Sequence, residues 1–227
     1  MPTQAVSGRI RLGILVLPVG AVLILAGTVI YVPGPESPDD LRAYAEIASS
    51  SRTAVSNFLW AVGQLLLIFA FVALYACMAS GRAERWAFFA MVLCVPGIAS
   101  AYAYSVGTSG PEAVAAEQYL QGQQAVLEEW YGLFDWSSIF SFILNPGLFS
   151  IGLILFGVAI WRSQALPQGA AILWFAVVLF QLGAPLTWWA TVVSFLLLTI
   201  AGGWIAWTVW RQPSSHVAGR DAQARVQ

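Results

Sequence analysis

The chain has 227 residues, of which 59% are hydrophobic and only 9% are charged, whereas a soluble domain carries roughly 25% charged residues. This composition predicts a polytopic membrane protein. Because the net charge is only −1, we expect no nucleic-acid partner. The expected partners are membrane lipids, a membrane protein or a second copy of the chain.

Six apolar runs predict a single all-α membrane domain of six transmembrane helices, spanning residues 1–211. The first run is about 30 Å long as a helix, which matches the hydrocarbon core of a bilayer and favours an uncleaved anchor. The predicted spans are 12–32, 54–80, 86–106, 137–161, 169–182 and 187–210. The polar stretch 212–227 is expected to be a disordered cytoplasmic tail.

Two connections are long enough to hold short amphipathic helices in the outer loops. Ser37 to Asp40 supplies an N-cap, a proline and acidic residues, which predicts a surface helix from about Pro38 to Ser49. The connection 107–136 predicts one or two amphipathic helices resting on the rim of the bundle, with a break at Gly122.

The arginines predict the orientation, because basic residues near span ends favour the cytoplasmic side. With six spans, Arg42 and Arg52 fall on one side of the membrane. The other side has the remaining eight: Arg9, Arg11, Arg82, Arg85, Arg162, Arg211, Arg220 and Arg225. Both termini are therefore predicted to be cytoplasmic.

No residue pattern predicts a metal, a cofactor or a catalytic centre. Cys77 and Cys94 lie in different apolar runs and match no metal or redox spacing. The single histidine, His216, follows the last run, which argues against a haem held by an internal histidine. The sequence contains no nucleophile elbow or phosphate loop. Nothing in the chain argues for an enzyme.

The predicted spans contain no ionisable side chain at mid-depth, although proton-coupled carriers normally keep such groups there. Neutral polar groups remain as ligand-binding candidates, and interhelical hydrogen bonding is the alternative role for each. They are Gln64, Tyr102, Tyr104, Asn145 and Gln181.

Asn145, Pro146 and Gly147 interrupt the fourth span. Pro146 removes a backbone donor, so a broken helix could offer free carbonyls to a ligand or ion. The alternative is a packing kink at which Gly147 permits close helix approach. An ungapped alignment of 56–58 with 137–139 brings Gln64 opposite Asn145, which indicates either a parallel repeat or a chance likeness of apolar spans.

Acidic and aromatic residues precede the fourth span and could bind a cation or a cationic ligand. The alternative is a solvated acidic rim. This outer acidic-aromatic rim consists of Glu128, Glu129, Trp130 and Asp135.

The layout resembles a group of small six-helix bacterial membrane proteins of unknown function. The resemblance rests on Arg9 and Arg11 before the first span, the long loop after it, and the segment Ile160 to Pro167, IWRSQALP. It implies a multi-pass protein of the bacterial inner membrane. It implies no activity and no site residues.

Three functions follow as expectations. The first is a non-catalytic binding or accessory protein for lipid, an apolar ligand or a membrane complex. The alternative is a small-solute transporter or channel whose neutral polar path passes Gln64, Asn145 and Gln181. A lipid-modifying membrane enzyme comes third.

Overall fold

The computed structural model describes residues 8–31, 40–79, 81–163, 165–183 and 187–212, without the side chains of 128 and 131–146. Within these residues the chain is all-α and contains no strand. The helices are α1 (Gly8–Ile30), α2 (Leu41–Ala48), α3 (Ser51–Met78), α4 (Glu84–Leu120), α5 (Gln124–Ser163), α6 (Gln168–Gly183) and α7 (Trp188–Arg211). The predicted tail after Gln212, with His216, lies outside the described residues.

Four helices are long and apolar enough to cross a membrane, namely α1, α3, α4 and α7. These helices fit the membrane protein that the composition predicts. The other two predicted spans correspond to shorter apolar helices, residues 147–163 of α5 and the 16 residues of α6.

Six of the helices form a closed ring in chain order. α1 packs on α3, α3 on α4, α4 on α5, α5 on α6, α6 on α7, and α7 returns to pack on α1. The helices alternate in direction, because most connections are short. We call the end where α4 and α5 turn at Gly122 the hairpin end, and the end that carries Gly8 and Arg211 the terminal end.

Small residues let the helices of the ring approach closely. A Cβ atom added to Gly20 on α1 would lie 2.9 Å from the carbonyl oxygen of Gly63 on α3, and one added to Gly63 would lie 2.8 Å from the carbonyl oxygen of Gly20. Close backbone approach gives dense packing where lipid supplies no hydrophobic force between helices. These glycines therefore fix the α1–α3 contact.

Side chains from other helices satisfy the last turn of α1, whose carbonyl groups have no partner within the helix. Three donors reach it: Ser56 Oγ to Gly27 O at 2.8 Å, Trp188 Nε1 to Thr28 O at 3.1 Å and Arg52 Nε to Ile30 O at 2.6 Å. The positive charge of Arg52 also complements the negative end of the helix dipole. These bonds tie α1 to both of its neighbours in the ring.

The predicted rim helices are not separate elements. α4 has 37 residues and α5 has 40, so they are about 55 and 60 Å long and extend well beyond a bilayer core of about 30 Å. The predicted break at Gly122 is confirmed, since its φ is +98°, a conformation that glycine adopts without a Cβ clash. The two helices stay continuous because they pair along the hairpin.

A second hydrophobic core holds the hairpin end together. It contains Ala45 and Ala48 from α2, Ala115 and Ala116 from α4, and Leu127 from α5. α2 begins at Leu41, three residues later than predicted, and Asp40 is its N-cap, accepting a hydrogen bond from the Ala43 amide at 3.0 Å. α2 therefore braces the extended hairpin.

Candidate ligand site inside the helix ring

Three aromatic side chains fill the interior of the ring at one level. Phe71 on α3, Phe156 on α5 and Trp174 on α6 are each 0% exposed. Phe71 stacks on Phe156 with ring centroids 5.5 Å apart, and Phe156 meets Trp174 edge-on at 6.2 Å. We call this set the aromatic layer. It closes the interior between α3, α5 and α6.

Polar side chains occupy the next level toward the hairpin end. Gln64 lies seven residues before Phe71, and Gln181 lies seven residues after Trp174. Seven residues are two helical turns, so each glutamine shares a face with its aromatic residue and lies about 10.5 Å farther along. Because α3 and α6 run in opposite directions, both shifts point the same way. The two glutamines therefore lie at similar depth.

Two serines belong to the same level. Ser150 lies six residues before Phe156 on α5, which places it about 9 Å from the aromatic layer on the hairpin side. Ser194 on α7 has its Oγ 3.1 Å from Gln181 Oε1 and 3.3 Å from the Val177 carbonyl oxygen. We call Gln64, Ser150, Gln181 and Ser194 the polar layer.

Two atoms of the polar layer are buried and unpartnered within the described part of the chain. They are Gln64 Oε1, on a residue that is 4% exposed, and Ser150 Oγ. In the adjacent aromatic layer, Trp174 Nε1 is likewise buried without a partner among the described residues. Three helices of the ring thus each carry one buried polar atom without a partner among the described residues: an acceptor on α3, a hydroxyl on α5 and a donor on α6.

Buried polar groups normally have a hydrogen-bond partner, and these three atoms have none among the described residues. Each costs about 1–3 kcal/mol when no partner replaces the lost water, and native proteins usually satisfy such groups with protein, water or ligand. A Cβ added to Gly147, three residues before Ser150 on α5, would meet no heavy atom within 4 Å, so the packing there is open on one side. A small polar molecule that reached the unpartnered atoms would satisfy them.

The polar layer offers hydrogen-bond donors and acceptors. The polar layer contains no ionisable side chain, and the described residues contain no group of three His, Cys, Asp or Glu that could hold a metal ion. Cys94 is buried and lies 3.8 Å from the Phe149 carbonyl oxygen, on the interface between α4 and α5. These groups suit recognition of an uncharged ligand.

The other interior candidates fall in different places. Asn145 and Pro146 lie within α5, and their side chains are outside the described part of the structure. Tyr102 and Tyr104 are half-buried on α4 and are not members of the polar layer. Of the predicted candidates whose side chains are described, the layer includes Gln64 and Gln181.

Two of the four residues of the predicted outer acidic-aromatic rim have described side chains, and two do not. Glu129 and Trp130 line a groove between α4 and α5 at the hairpin end. The side chains of Glu128 and Asp135 lie outside the described part of the structure.

Sequence reasoning missed Ser150, Ser194 and Trp174. A serine within an apolar helix normally returns its hydroxyl to its own backbone, so neither serine stood out from its neighbours. The available signal was spacing: Trp174 and Gln181 are separated by seven residues, as are Phe71 and Gln64.

The long apolar helices and the ring that they form fit an all-α membrane protein. No family model matches this chain, and searches of curated proteins and of solved structures give no match.

Proposed function

We propose that this protein is a non-catalytic binding protein of the membrane that takes a small uncharged ligand into the polar layer. The observation that carries the proposal is Gln64 Oε1, which is buried and has no hydrogen-bond partner among the described residues. A buried amide oxygen without a donor costs about 1–3 kcal/mol. A ligand that donates a hydrogen bond to it removes that cost.

The ligand needs both donor and acceptor capacity. Ser150 Oγ can donate or accept, and Trp174 Nε1 can only donate. A charged ligand would have to leave water for a layer with no counter-ion, which is costly in a low-dielectric interior. A small alcohol, amide or similar neutral molecule meets these conditions.

We further propose that all six helices of the ring cross the membrane and that both termini are cytoplasmic. Support comes from the ring, in which α5 and α6 lie between helices long enough to span, and from the terminal end, which is rich in arginine. There, Arg162 lies 5.3 Å from the ring centre of Trp86, and Arg211 lies 4.2 Å from that of Trp207. The proposed location is the bacterial inner membrane, with lipids around the ring.

Transport of the same ligand is the second candidate function. The observation that favours it is the similar depth of Gln64 and Gln181, which would give a neutral solute two amides on opposite sides of a path. The aromatic layer closes the interior on the terminal side, so a solute could pass only if Phe71, Phe156 and Trp174 move apart. A binding protein needs no such motion.

Native mass spectrometry of the full chain released from nanodiscs tests the binding proposal. We expect a retained small molecule in the wild type, loss of that mass in Gln64→Leu, and retention in Gln123→Leu. The control removes an exposed amide beside Gly122, outside the ring. A wild-type spectrum without any bound molecule would overturn the proposal, as would equal retention in Gln64→Leu.

Uptake of the retained molecule into proteoliposomes separates the two candidate functions. Accumulation that depends on the protein and is lost in Gln64→Leu would establish transport. Retention without accumulation would leave binding as the function.

A further inference from the structure

A groove lies between the extended halves of α4 and α5, separate from the ring interior. Its accessible volume is about 460 Å³. It is lined by Pro111, Val114, Ala115 and Gln118 from α4, and by Val126, Glu129 and Trp130 from α5. Most of its wall is apolar, and Glu129 is the only acidic residue among the described side chains that line it.

The second hydrophobic core forms the base of this groove. Ala115 is 4% exposed and Leu127 is 0% exposed, and both pack against α2. The Gly122 turn then sets α4 and α5 side by side. The groove is therefore part of the braced hairpin.

The hairpin segment that carries the groove is acidic in sequence, and α2, which packs against it, adds Arg42 paired with Glu46. Residues 107–138 contain five acidic residues and no Lys, Arg or His. The acidic residues are Glu112, Glu117, Glu128, Glu129 and Asp135. A cation is attracted to such a region, and an anion is repelled.

The lining favours an organic cation over a metal ion. Calcium takes six to eight oxygen ligands, and magnesium requires near-octahedral oxygen coordination. Among the described side chains that line the groove, only Glu129 and Gln118 offer oxygen atoms. An ammonium group attached to an apolar body would instead pair with the Glu129 carboxylate. Its body would cover Val114 and Val126, and the indole of Trp130 offers an aromatic surface to the cation.

From these observations we infer that the groove binds a small organic ammonium ion with an apolar body, with Glu129 as its counter-ion. This site is independent of the polar layer, which has no charged residue. Loss of one site would leave the other intact.

Isothermal titration of the full chain in a non-ionic detergent tests the inference, with benzyltrimethylammonium as the probe. We expect saturable binding by the wild type and an affinity at least about tenfold lower in Glu129→Gln, which corresponds to about 1.4 kcal/mol. The matched control is Glu117→Gln, which removes the same charge from an exposed position on α4 outside the groove lining. Its affinity should stay within about twofold of the wild-type value.

The apolar part of the site is tested separately. Val114 is 55% exposed, so Val114→Ser removes apolar surface without disturbing a buried core, and it should weaken benzyltrimethylammonium. Choline, which lacks the aromatic body, should bind more weakly than benzyltrimethylammonium. Benzyl alcohol, which lacks the charge, should show no saturable binding.

Three results would overturn the inference. They are an absence of saturable binding by the wild type, equal losses in Glu129→Gln and Glu117→Gln, and equal binding of benzyl alcohol and benzyltrimethylammonium. Equal losses would mean that the ion responds only to the general negative charge of the hairpin end.

Discussion

Phe71 on α3 stacks on Phe156 on α5, with ring centroids 5.5 Å apart and an interplanar angle of 22°. The two helices are separated by α4 in the order of the ring, so this contact crosses the interior. Trp174 completes the layer from α6. The bundle is thus held by its perimeter contacts and by an aromatic connection through its centre.

Removing one ring of the aromatic layer should destabilise the bundle strongly. Phe71→Ala deletes a fully buried side chain in contact with Phe149 and Phe156, and such changes cost about 3–5 kcal/mol in well-packed interiors. Thermal unfolding in detergent measures the loss. The control is Phe69→Ala, since Phe69 is on the same helix and 59% exposed; equal losses in the two variants would contradict the assigned role of the layer.

A methyl group at the α1–α3 contact should also be poorly tolerated. In Gly20→Ala the added Cβ lies 2.9 Å from the Gly63 carbonyl oxygen, and the backbones must move apart, at a cost of about 1–3 kcal/mol. At Gly203 a Cβ would meet nothing within 4 Å, so Gly203→Ala should be neutral or stabilise the helix by up to about 1 kcal/mol. Thermal unfolding of both variants gives the comparison. A neutral Gly20→Ala would show that the contact is looser than described.

Loss of one donor to the carbonyl groups at the end of α1 should loosen that end of the helix only. Trp188→Phe keeps the aromatic packing but removes the Nε1–H that donates to the Thr28 carbonyl, a loss of about 1 kcal/mol. Hydrogen exchange should rise at the hairpin end of α1 and stay unchanged at its terminal end. The control is Trp207→Phe, because Trp207 is 58% exposed and lies near the other end of α7. Equally fast exchange at the hairpin end of α1 in that variant would refute a specific role for the Trp188 bond.

Glu112 predicts a dependence of stability on pH. It lies beyond the predicted span of α4, and burial raises the pKa of its carboxyl group above the ordinary value of 4.5. The folded state therefore binds its proton more tightly than the unfolded state, so stability is gained as the pH falls and lost as the pH rises through the raised pKa. Glu112→Gln should unfold at a higher temperature than the wild type at pH 7.

The difference between Glu112→Gln and the wild type should shrink as the pH falls, because a growing share of the wild-type carboxyl is protonated in the fold. Unfolding temperatures measured between pH 4.5 and 7.5 provide the test. Glu117→Gln serves as the control, since Glu117 is exposed on the same helix. A constant difference across this range would contradict the assignment to Glu112.

The apolar runs and the turn residues made the helical class, the short surface helix α2 and the break at Gly122 predictable. These features depend on local chemistry: hydrophobic length, capping by Asp40, and a glycine that accepts a positive φ. Local chemistry did not predict that α4 and α5 continue as single helices beyond their predicted spans. A polar stretch beyond a span looks like a separate loop helix until its pairing partner and its brace are known.

For the interior site too, local sequence patterns identified some residues, and contacts between helices identified the others. Gln64 and Gln181 stood out because an amide is unusual in an apolar run. Their common depth, and the contribution of Ser150 and Ser194, depend on contacts between residues far apart in the chain, such as the bond from Ser194 on α7 toward Gln181 on α6. No local pattern specifies such contacts.

By itself, the sequence predicted a helical membrane protein, the positions of its apolar runs, and that these runs carry no ionisable side chain at mid-depth. Only the tertiary structure decided that α7 closes on α1, that three aromatic side chains seal the centre, and which polar atoms are left without partners. The physical reason is that hydrophobic length and capping act within one helix, whereas closure and unsatisfied groups result from packing between helices.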